Sequence, residues 1–97
     1  MDVADNLGIA LGDFLVPLRQ HQGLDEEKFE ALCSILKTCR QEWKDVNAIP
    51  KRTVKALVDI YPATMAHASW YEREEKEYRR IKKAAIKLLS LTGKALS

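Results

Sequence analysis

The apolar positions of this 97-residue chain recur with a helical period. The clearest run lies in the first half of the chain, where successive members are three or four positions apart. Its members are Phe29, Leu32, Leu36, Cys39, Trp43 and Val46. This spacing predicts a helix that packs on other helices, and a length of about two and a half heptads favours a bundle over an independent coiled coil. No stretch of any length alternates with the period of two that is typical of a strand.

The start of this second helix is also encoded locally. Asp25 is a suitable N-cap, because its carboxylate can accept a hydrogen bond from a backbone N–H of the first turn. Glu26 and Glu27 follow, where negative charge complements the helix dipole. Leu24 and Phe29 have the spacing of a hydrophobic staple. We therefore expect the helix to begin at Asp25.

A first helix is predicted from near Asp2. Its inner side is formed by Val3, Leu7, Ala10 or Leu11, Phe14 and Leu18. Gly8 and Gly12, four positions apart, would let a neighbouring helix approach closely. Pro17 should kink or end the helix, and residues 21–23 should form its exit, with an exposed histidine followed by a capping glycine.

A third, short helix is predicted over residues 51–61, after a break at residues 47–50. Its inward residues would be Val54, Leu57, Val58 and Tyr61. Because proline disfavours the helical conformation of the residue before it, the chain should bend at Tyr61–Pro62, either between two elements or as a kink within one helix.

The last helix is the longest. Ser69 and Glu72 have the spacing of a capping box, and no glycine or proline follows until Gly93, so this helix should span Ser69 to Leu96. Its buried face would be formed by Tyr71, Tyr78, Ile81, Ala84, Ala85, Leu88, Leu89, Leu91 and Thr92. The chain as a whole is therefore predicted to be all-α, a single domain over residues 1–97 that forms a bundle of three to four helices with a long C-terminal helix.

Charge is distributed unevenly along the chain. Residues 1–49 carry five Lys/Arg and nine Asp/Glu, whereas residues 50–97 carry eleven and five. Opposite the apolar face of the last helix lies a basic stripe. It consists of Arg79, Arg80, Lys83, Lys87 and Lys94. Such a stripe is typical of a surface that binds an acidic groove, a phosphate backbone or an anionic membrane, and equally of a solvated outer face.

A second basic group stands at the start of the third helix, where the dipole is already positive. Lys51, Arg52 and Lys55 should each cost a few tenths of a kcal/mol there. Two explanations are open: the helix N-terminus and its bases bind an anion, or Glu42, Asp45 and the rest of the acidic half supply the counter-charge.

The residues that could perform chemistry are few. Cys33 and Cys39 lie six apart in one predicted helix, so they cannot pair with each other. Neither His21 nor His67 follows a glutamate at the spacing used by helical metal sites, and no Cys-x-x-Cys or nucleotide-binding glycine loop is present. We expect no catalytic residue, no metal and no cofactor, and therefore not an enzyme; His67 should be a packing residue.

The remaining hypothesis is a protein-protein interaction module, such as an adaptor, an inhibitor or a neutralising partner. Trp70 and Tyr71 are adjacent, so both cannot face the core, and aromatic residues beside charged ones are typical of interface hot spots. The predicted partner-binding residues are Lys51, Arg52, Lys55, Trp70, Tyr71, Arg79, Arg80, Lys83 and Lys87. The partner would be another protein with an acidic surface.

The alternative is nucleic-acid binding by the same bases, although a pI of about 8.6 is lower than dedicated nucleic-acid binders have. A membrane surface is the least favoured partner. A homodimer is compatible with the length of the last helix and with the seam of the second helix. Asp2 and Asp5 stand where a secretory signal needs positive charge, and Asp13 interrupts the apolar run 7–18, so a cytoplasmic protein is expected.

Overall fold

Four helices account for most of the backbone of residues 3–97, the part of the chain that the computed structural model describes; side chains are described from residue 5 on. The helices are α1 (Val3–Arg19), α2 (Glu26–Glu42), α3 (Lys51–Ala68) and α4 (Glu75–Leu96), with a short 3₁₀ turn at Ser69–Tyr71 between the last two. Residues 3–97 contain no strand. The predicted all-α bundle is therefore confirmed, including a last helix of 22 residues. The predicted start near Asp2 lies outside the described residues.

The helices form two hairpins, α1 with α2 and α3 with α4. Around the bundle the order is α1, α2, α4, α3, so that α1 lies diagonally opposite α4 and α2 diagonally opposite α3. Both hairpin turns lie at the same end, which we call the turn end. Consequently α2 and α4 run parallel as neighbours, as do α1 and α3. The connection over residues 43–50 crosses the diagonal at the other end.

The core fills the space between the four helices. Its fully buried large side chains are Leu7, Phe14, Leu18, Leu32, Leu36, Leu57, Ile60, Tyr71, Ile81 and Leu88. The seam predicted for α2 is buried from Phe29 to Cys39. It stops there because α2 ends at Glu42, so that Trp43 is only half-buried and Val46 is exposed. The predicted cap is confirmed: the Asp25 carboxylate accepts from the backbone N–H of Lys28 at 3.1 Å.

The exit of α1 differs in detail from the prediction. Pro17 lies inside the helix, which continues for two more residues to Arg19. The left-handed conformation that ends it is adopted by His21 (φ 58°) as well as by Gly23 (φ 84°). The expected close approach at Gly8 is absent: a Cβ there would have no neighbour within 4 Å, and the same is true of Gly12. That prediction was wrong, because these glycines do not lie under another helix.

Helix α3 is longer than predicted and buries a different face. It continues through Pro62, which is exposed, to Ala68, so the alternative of a single helix is the observed one. Its buried residues are Thr53, Leu57, Ile60, Thr64 and Ala68. Of the predicted inward residues only Leu57 is buried, while Val58 is 52% exposed. A threonine can replace an aliphatic residue inside because the Thr64 hydroxyl donates to the carbonyl of Ile60 at 2.7 Å.

The predicted capping box of the last helix was wrong. Ser69 is the C-cap of α3, and its hydroxyl donates to the carbonyl of Ala66 at 2.7 Å instead of accepting from a new first turn. The chain then turns, with the N–H of Glu74 donating to the carbonyl of Tyr71 at 2.8 Å, before α4 begins at Glu75. At its other end α4 passes through Gly93 because Ala95 beyond it is still buried.

One buried side chain joins the two hairpins at the turn end. The Tyr71 hydroxyl donates to the carbonyl of Leu18 at 2.8 Å and accepts from the N–H of Gly23 at 3.1 Å. Its ring stacks on that of His21, with centroids 4.3 Å apart and planes 11° apart. The Glu77 carboxylate accepts from the N–H of Leu24 at 2.6 Å. We call these contacts the hairpin clamp; they satisfy backbone groups that the irregular turn leaves without helical partners.

Removing the Tyr71 hydroxyl should destabilise the fold. Tyr71→Phe leaves the N–H of Gly23 without its acceptor and removes one of the two donors to the Leu18 carbonyl, which keeps the His21 N–H at 3.1 Å, and we expect a loss of about 1–3 kcal/mol in the free energy of unfolding. Urea unfolding followed by circular dichroism measures it. Tyr78→Phe is the matched control, since the half-buried Tyr78 hydroxyl makes no hydrogen bond to a described residue, and it should change little. Equal stability of the two variants would contradict the assignment.

Candidate functional site

A groove runs between the parallel helices α2 and α4. It encloses about 640 Å³ and is lined by Leu24, Glu26, Phe29, Arg80, Lys83, Ala84, Ile86, Lys87 and Ser90. We call it the basic groove, because three of the four charged side chains in its lining are cationic. Its apolar surface comes from both helices: the half-buried Leu24 and the edge of Phe29 on one side, and the 58% exposed Ile86 on the other.

Arg80 belongs to the framework of this groove. Its guanidinium donates to the Glu26 carboxylate of α2 at 2.8 Å and to Glu77 of α4 at 2.7 Å. These hydrogen bonds, the one to Glu26 most of all, raise the pKa of Arg80. The pair to Glu26 joins α2 to α4 across the groove, and the partly exposed Arg80 is already neutralised. We therefore assign it the role of positioning the groove wall.

Lys83 and Lys87 are different, since neither makes an ion pair with a described residue. Both are exposed, one turn apart on α4. The ammonium of Lys87 lies 5.8 Å from the centroid of the Phe29 ring, which holds this cation against the apolar part of the groove. Two cations without an ion pair thus lie beside accessible apolar side chains, an arrangement that is complementary to carboxylates next to apolar groups.

The basic surface continues towards the opposite end of the bundle. There the C-terminal turns of α2 and α4 line a second pocket of about 430 Å³, formed by Arg40, Gln41, Lys44, Lys94 and Ser97. Between the two pockets, burial raises the pKa of Cys33, while the nearby Lys87 and Lys37 lower it and Glu30 raises it. Among the side chains that line the two pockets on the α2–α4 side, cations outnumber carboxylates.

Sequence reasoning missed the part of this surface that comes from α2. Arg40 and Lys44 lie within residues 1–49, where Asp and Glu outnumber Lys and Arg, so the net charge of that half gave no sign of a basic surface. They could have been found from the helical wheel of α2, where Lys37, Arg40 and Lys44 follow the three-four spacing of one face. What the sequence does not contain is the parallel pairing of α2 with α4, which brings them beside Lys94.

The side chains of Trp70 and Tyr71 lie in different environments, as predicted for adjacent residues. Tyr71 is 1% exposed and belongs to the hairpin clamp, so it is removed from the predicted partner-binding set. Trp70 is 53% exposed and packs on the ring of His67 at 4.9 Å. His67 lies three turns after Ala56 on the edge of α3 that faces α1. Trp70 is therefore not beside the basic groove.

The fold also does not bring the basic stripe of α4 together with the bases at the start of α3. Arg79 pairs with Glu75 one turn earlier on α4. Lys55 pairs with Asp59 at 3.4 Å, while Arg52 lines a pocket between α3 and α1. Neither Lys51 nor Arg52 forms an ion pair with a described residue, so the predicted counter-charges Glu42 and Asp45 do not reach them. The start of α3 thus lies on a different side from the basic groove.

The thiols and the imidazoles are placed as structural groups. Cys33 and Cys39 are buried and unpaired, as predicted from their spacing. His67 is half-buried; its Nδ1 donates to the carbonyl of Ala63 at 2.7 Å, and its Nε2 is buried without a partner. His21 is the exposed loop residue that was predicted, and it also contacts Glu74 and Tyr71. Among the described residues no three His, Cys, Asp or Glu side chains cluster as a metal site would require.

Comparison with known proteins gives no relative of this chain: no family model matches it, and neither curated proteins nor solved structures match it significantly. Across the described part of the chain, no helix combines the length and apolarity needed to cross a bilayer.

Both thiols should resist modification in the folded protein. Burial raises the pKa of Cys39 to about 11 from its ordinary 9.0, so its thiolate population falls roughly 100-fold. We expect iodoacetamide at pH 8 to label Cys39 at least about 100-fold more slowly in the native protein than in urea, as measured by mass spectrometry. Because the unfolded chain ionises this thiol at lower pH, it also contributes a loss of stability as the pH rises from about 9 to about 11.

Cys39→Ala is the control, since the remaining Cys33, whose pKa burial also raises, should stay protected in the folded variant. Rapid labelling of either thiol in a protein that circular dichroism shows to be folded would contradict their placement.

Proposed function

We propose that this chain is a non-catalytic protein-protein interaction module that binds an acidic segment of another protein in the basic groove. The observation that carries the proposal is the pairing of two unneutralised cations, Lys83 and Lys87, with accessible apolar groups, Leu24 and Ile86, in one groove. A partner could desolvate the apolar groups and present carboxylates to the ammonium groups at the same time.

The form of the groove favours a helix as the bound segment. Two parallel helices border it, and an amphipathic helix that lies between them would extend the bundle by the same ridge-and-groove packing that holds its core. Because Leu24 lies level with Glu77, nine residues before Ile86 on α4, apolar residues two to three turns apart on the bound helix would contact Leu24 and Ile86. Carboxylates on the flank of that helix would reach Lys83 and Lys87. A module of this kind acts as an adaptor, an inhibitor or a neutralising partner for the protein that carries the segment.

The test uses defined peptides in place of a cell extract. One fluorescent peptide is an acidic amphipathic helix with leucines and glutamates one turn apart; in the second, every glutamate is glutamine. We expect the acidic peptide to bind to the wild-type protein. The double variant Lys83→Glu, Lys87→Glu should have an affinity for this peptide that is lower by at least about tenfold, which is ~1.4 kcal/mol. Fluorescence anisotropy measures both.

The matched control changes the same charge elsewhere. Arg52→Glu with Lys55→Glu alters the net charge equally but lies at the start of α3. The affinity of this control variant for the acidic peptide should stay within about twofold of the wild-type affinity. Added salt screens long-range electrostatic steering, the remaining way in which these two changes could alter binding. Equal losses in the two double variants, or equal affinity for both peptides, would refute the groove as the binding site.

Nucleic-acid binding is the second candidate, and one observation favours it. Arg40, Lys44 and Lys94 extend the cationic surface beyond the apolar part of the groove, where only charge is available to a ligand. If phosphates are the ligand, a DNA or RNA duplex should bind with an affinity that falls steeply with salt, and Arg40→Glu with Lys44→Glu should reduce it more than the pair of changes at Lys83 and Lys87. No binding at low salt would exclude this candidate.

A further inference from the structure

The first turn of α3 has no side-chain cap. Its N-cap residue is Pro50, which offers no capping group, and the first turn contains no acid. The N–H groups of Thr53 and Val54 donate to the carbonyl of Pro50, at 3.0 and 3.1 Å. The N–H groups of Lys51 and Arg52 make no hydrogen bond to a described residue. Two backbone donors are therefore available at the positive end of the helix dipole.

A pocket of about 440 Å³ opens beside this N-terminus, between α1 and α3. We call it the α1–α3 pocket. It is lined by Asp5, Leu7, Gly8, Ile9, Arg52, Thr53 and Ala56. The wall at Gly8 is open, because a Cβ added there would have no neighbour within 4 Å. The volume lies within the range of about 300–1,000 Å³ that small-molecule sites occupy.

A buried hydroxyl group without a partner indicates a ligand in this pocket. Thr53 is one of three buried threonines in residues 5–97, with 7% of its surface exposed. The hydroxyl groups of the other two, Thr64 and Thr92, donate to the carbonyl four residues earlier, at 2.7 and 2.8 Å.

The Thr53 hydroxyl makes no hydrogen bond to a described residue. It is not completely enclosed either, since Nε2 of His67 is the only completely enclosed side-chain polar atom without a partner in the described part of the chain. Because Thr53 lines the α1–α3 pocket, its accessible hydroxyl opens into that pocket. A buried hydroxyl of this kind is complementary to a ligand that accepts a hydrogen bond.

The charges beside the pocket favour an anionic ligand. Neither Lys51 nor Arg52 forms an ion pair with a described residue, and Arg52 lines the pocket. Asp5 is the single carboxylate in the lining, and it already makes an interaction of its own. An anion bound at this helix end would offset the unfavourable position of the two cations next to the positive end of the dipole.

The donors fit a phosphoryl group better than a carboxylate. Two backbone N–H groups, the guanidinium of Arg52 and the hydroxyl of Thr53 are enough to serve the three terminal oxygens of a phosphate monoester, whereas a carboxylate has only two oxygens. The apolar part of the lining, which includes Ile9 and Ala56, would contact the organic group that carries the phosphate.

We infer that the α1–α3 pocket binds a phosphate monoester with a small apolar organic group. The phosphoryl oxygens accept from the first turn of α3 and from Thr53, and the organic group lies against α1. This pocket is on the opposite side of the bundle from the basic groove, because α1 and α3 pack diagonally across from α4 and α2. The inference does not depend on the function proposed for the groove.

The test is a titration of the intact, isotope-labelled protein with phenyl phosphate, followed through the backbone amide signals in NMR spectra. We expect saturable binding with a dissociation constant at or below about 1 mM, and the largest shifts at the amides of Lys51 and Arg52. Absence of saturable binding overturns the inference. Shifts that are largest at Lys83 and Lys87 would place the anion in the basic groove and would also overturn it.

Two substitutions remove donors. Thr53→Val keeps the shape of the side chain and should weaken phenyl phosphate binding about three- to tenfold. Because the hydroxyl has no partner in the fold, this change should not lower the free energy of unfolding. Arg52→Gln should weaken binding at least about tenfold. The matched control is Arg19→Gln at the far end of α1, which should stay within about twofold of the wild-type affinity.

A third substitution fills the pocket without removing charge. Gly8→Leu places a side chain in the open wall and should weaken phenyl phosphate binding at least about tenfold. Gly12→Leu is its matched control, since a Cβ there also has no neighbour within 4 Å but Gly12 lies outside the lining. Circular dichroism checks the fold of each variant. Equal effects of the two leucine variants, or wild-type affinity in both Thr53→Val and Arg52→Gln, would overturn the inference.

Two further ligands test the chemistry. Benzoate carries a carboxylate on the same ring and should bind at least about tenfold more weakly than phenyl phosphate, so that equal affinity would overturn the assignment to a phosphoryl group. A short peptide with a central phosphothreonine identifies the source of the monoester. Binding tighter than that of phenyl phosphate would support the inference with a phosphorylated protein as the source, and weaker binding would support it with a small phosphate ester.

Discussion

The relative position of the two hairpins depends on the hydroxyl group of Tyr71. It joins the second hairpin to backbone atoms of the first, the carbonyl of Leu18 and the N–H of Gly23, and the Glu77 carboxylate beside it accepts from the N–H of Leu24. These hydrogen bonds fix the height of one hairpin relative to the other, so that α2 and α4 begin side by side and Arg80 lies opposite Glu26. The basic groove is a result of that alignment. A shift of one hairpin by a single turn, about 5.4 Å, would remove the ion pair that supports the groove wall.

Parallel packing of α2 and α4 also explains much of the charge on their shared side. Both helices begin with acids at the turn end and end with bases at the other, and each set complements its own helix dipole. Arg40 and Lys94 near the C-terminal ends therefore stabilise the fold whether or not they bind a ligand. Lys83 and Lys87 lie in the middle of α4, where the helix dipole does not stabilise a cation. Their position is the stronger indication of a binding role.

Local patterns predicted what depends on a few neighbouring residues. The cap at Asp25 and the seam of α2 from Phe29 to Cys39 were correct because they arise from short-range chemistry and from a single apolar stripe, whereas the predicted continuation to Val46 was wrong because α2 ends at Glu42. The start of α4 was wrong, because the competing role of Ser69 at the end of α3 depends on a helix that continues past Pro62. The face of α3 was wrong because buried threonines carry no apolar signal. The residues that each helix contributes to the basic groove could be predicted from the sequence, but the groove itself could not, because the pairing of α2 with α4 is a property of the tertiary fold.

The length of the connection over residues 43–50 determines whether one chain can complete the bundle by itself. Eight residues can span up to about 26–29 Å, whereas the diagonal between helices packed 8–10 Å apart is only about 11–14 Å. The chain therefore has slack to return and close the bundle on itself. A shortened connection would remove this slack, and the second hairpin would then find its place in another molecule by domain exchange. The length of this segment thus allows one polypeptide to complete the four-helix unit.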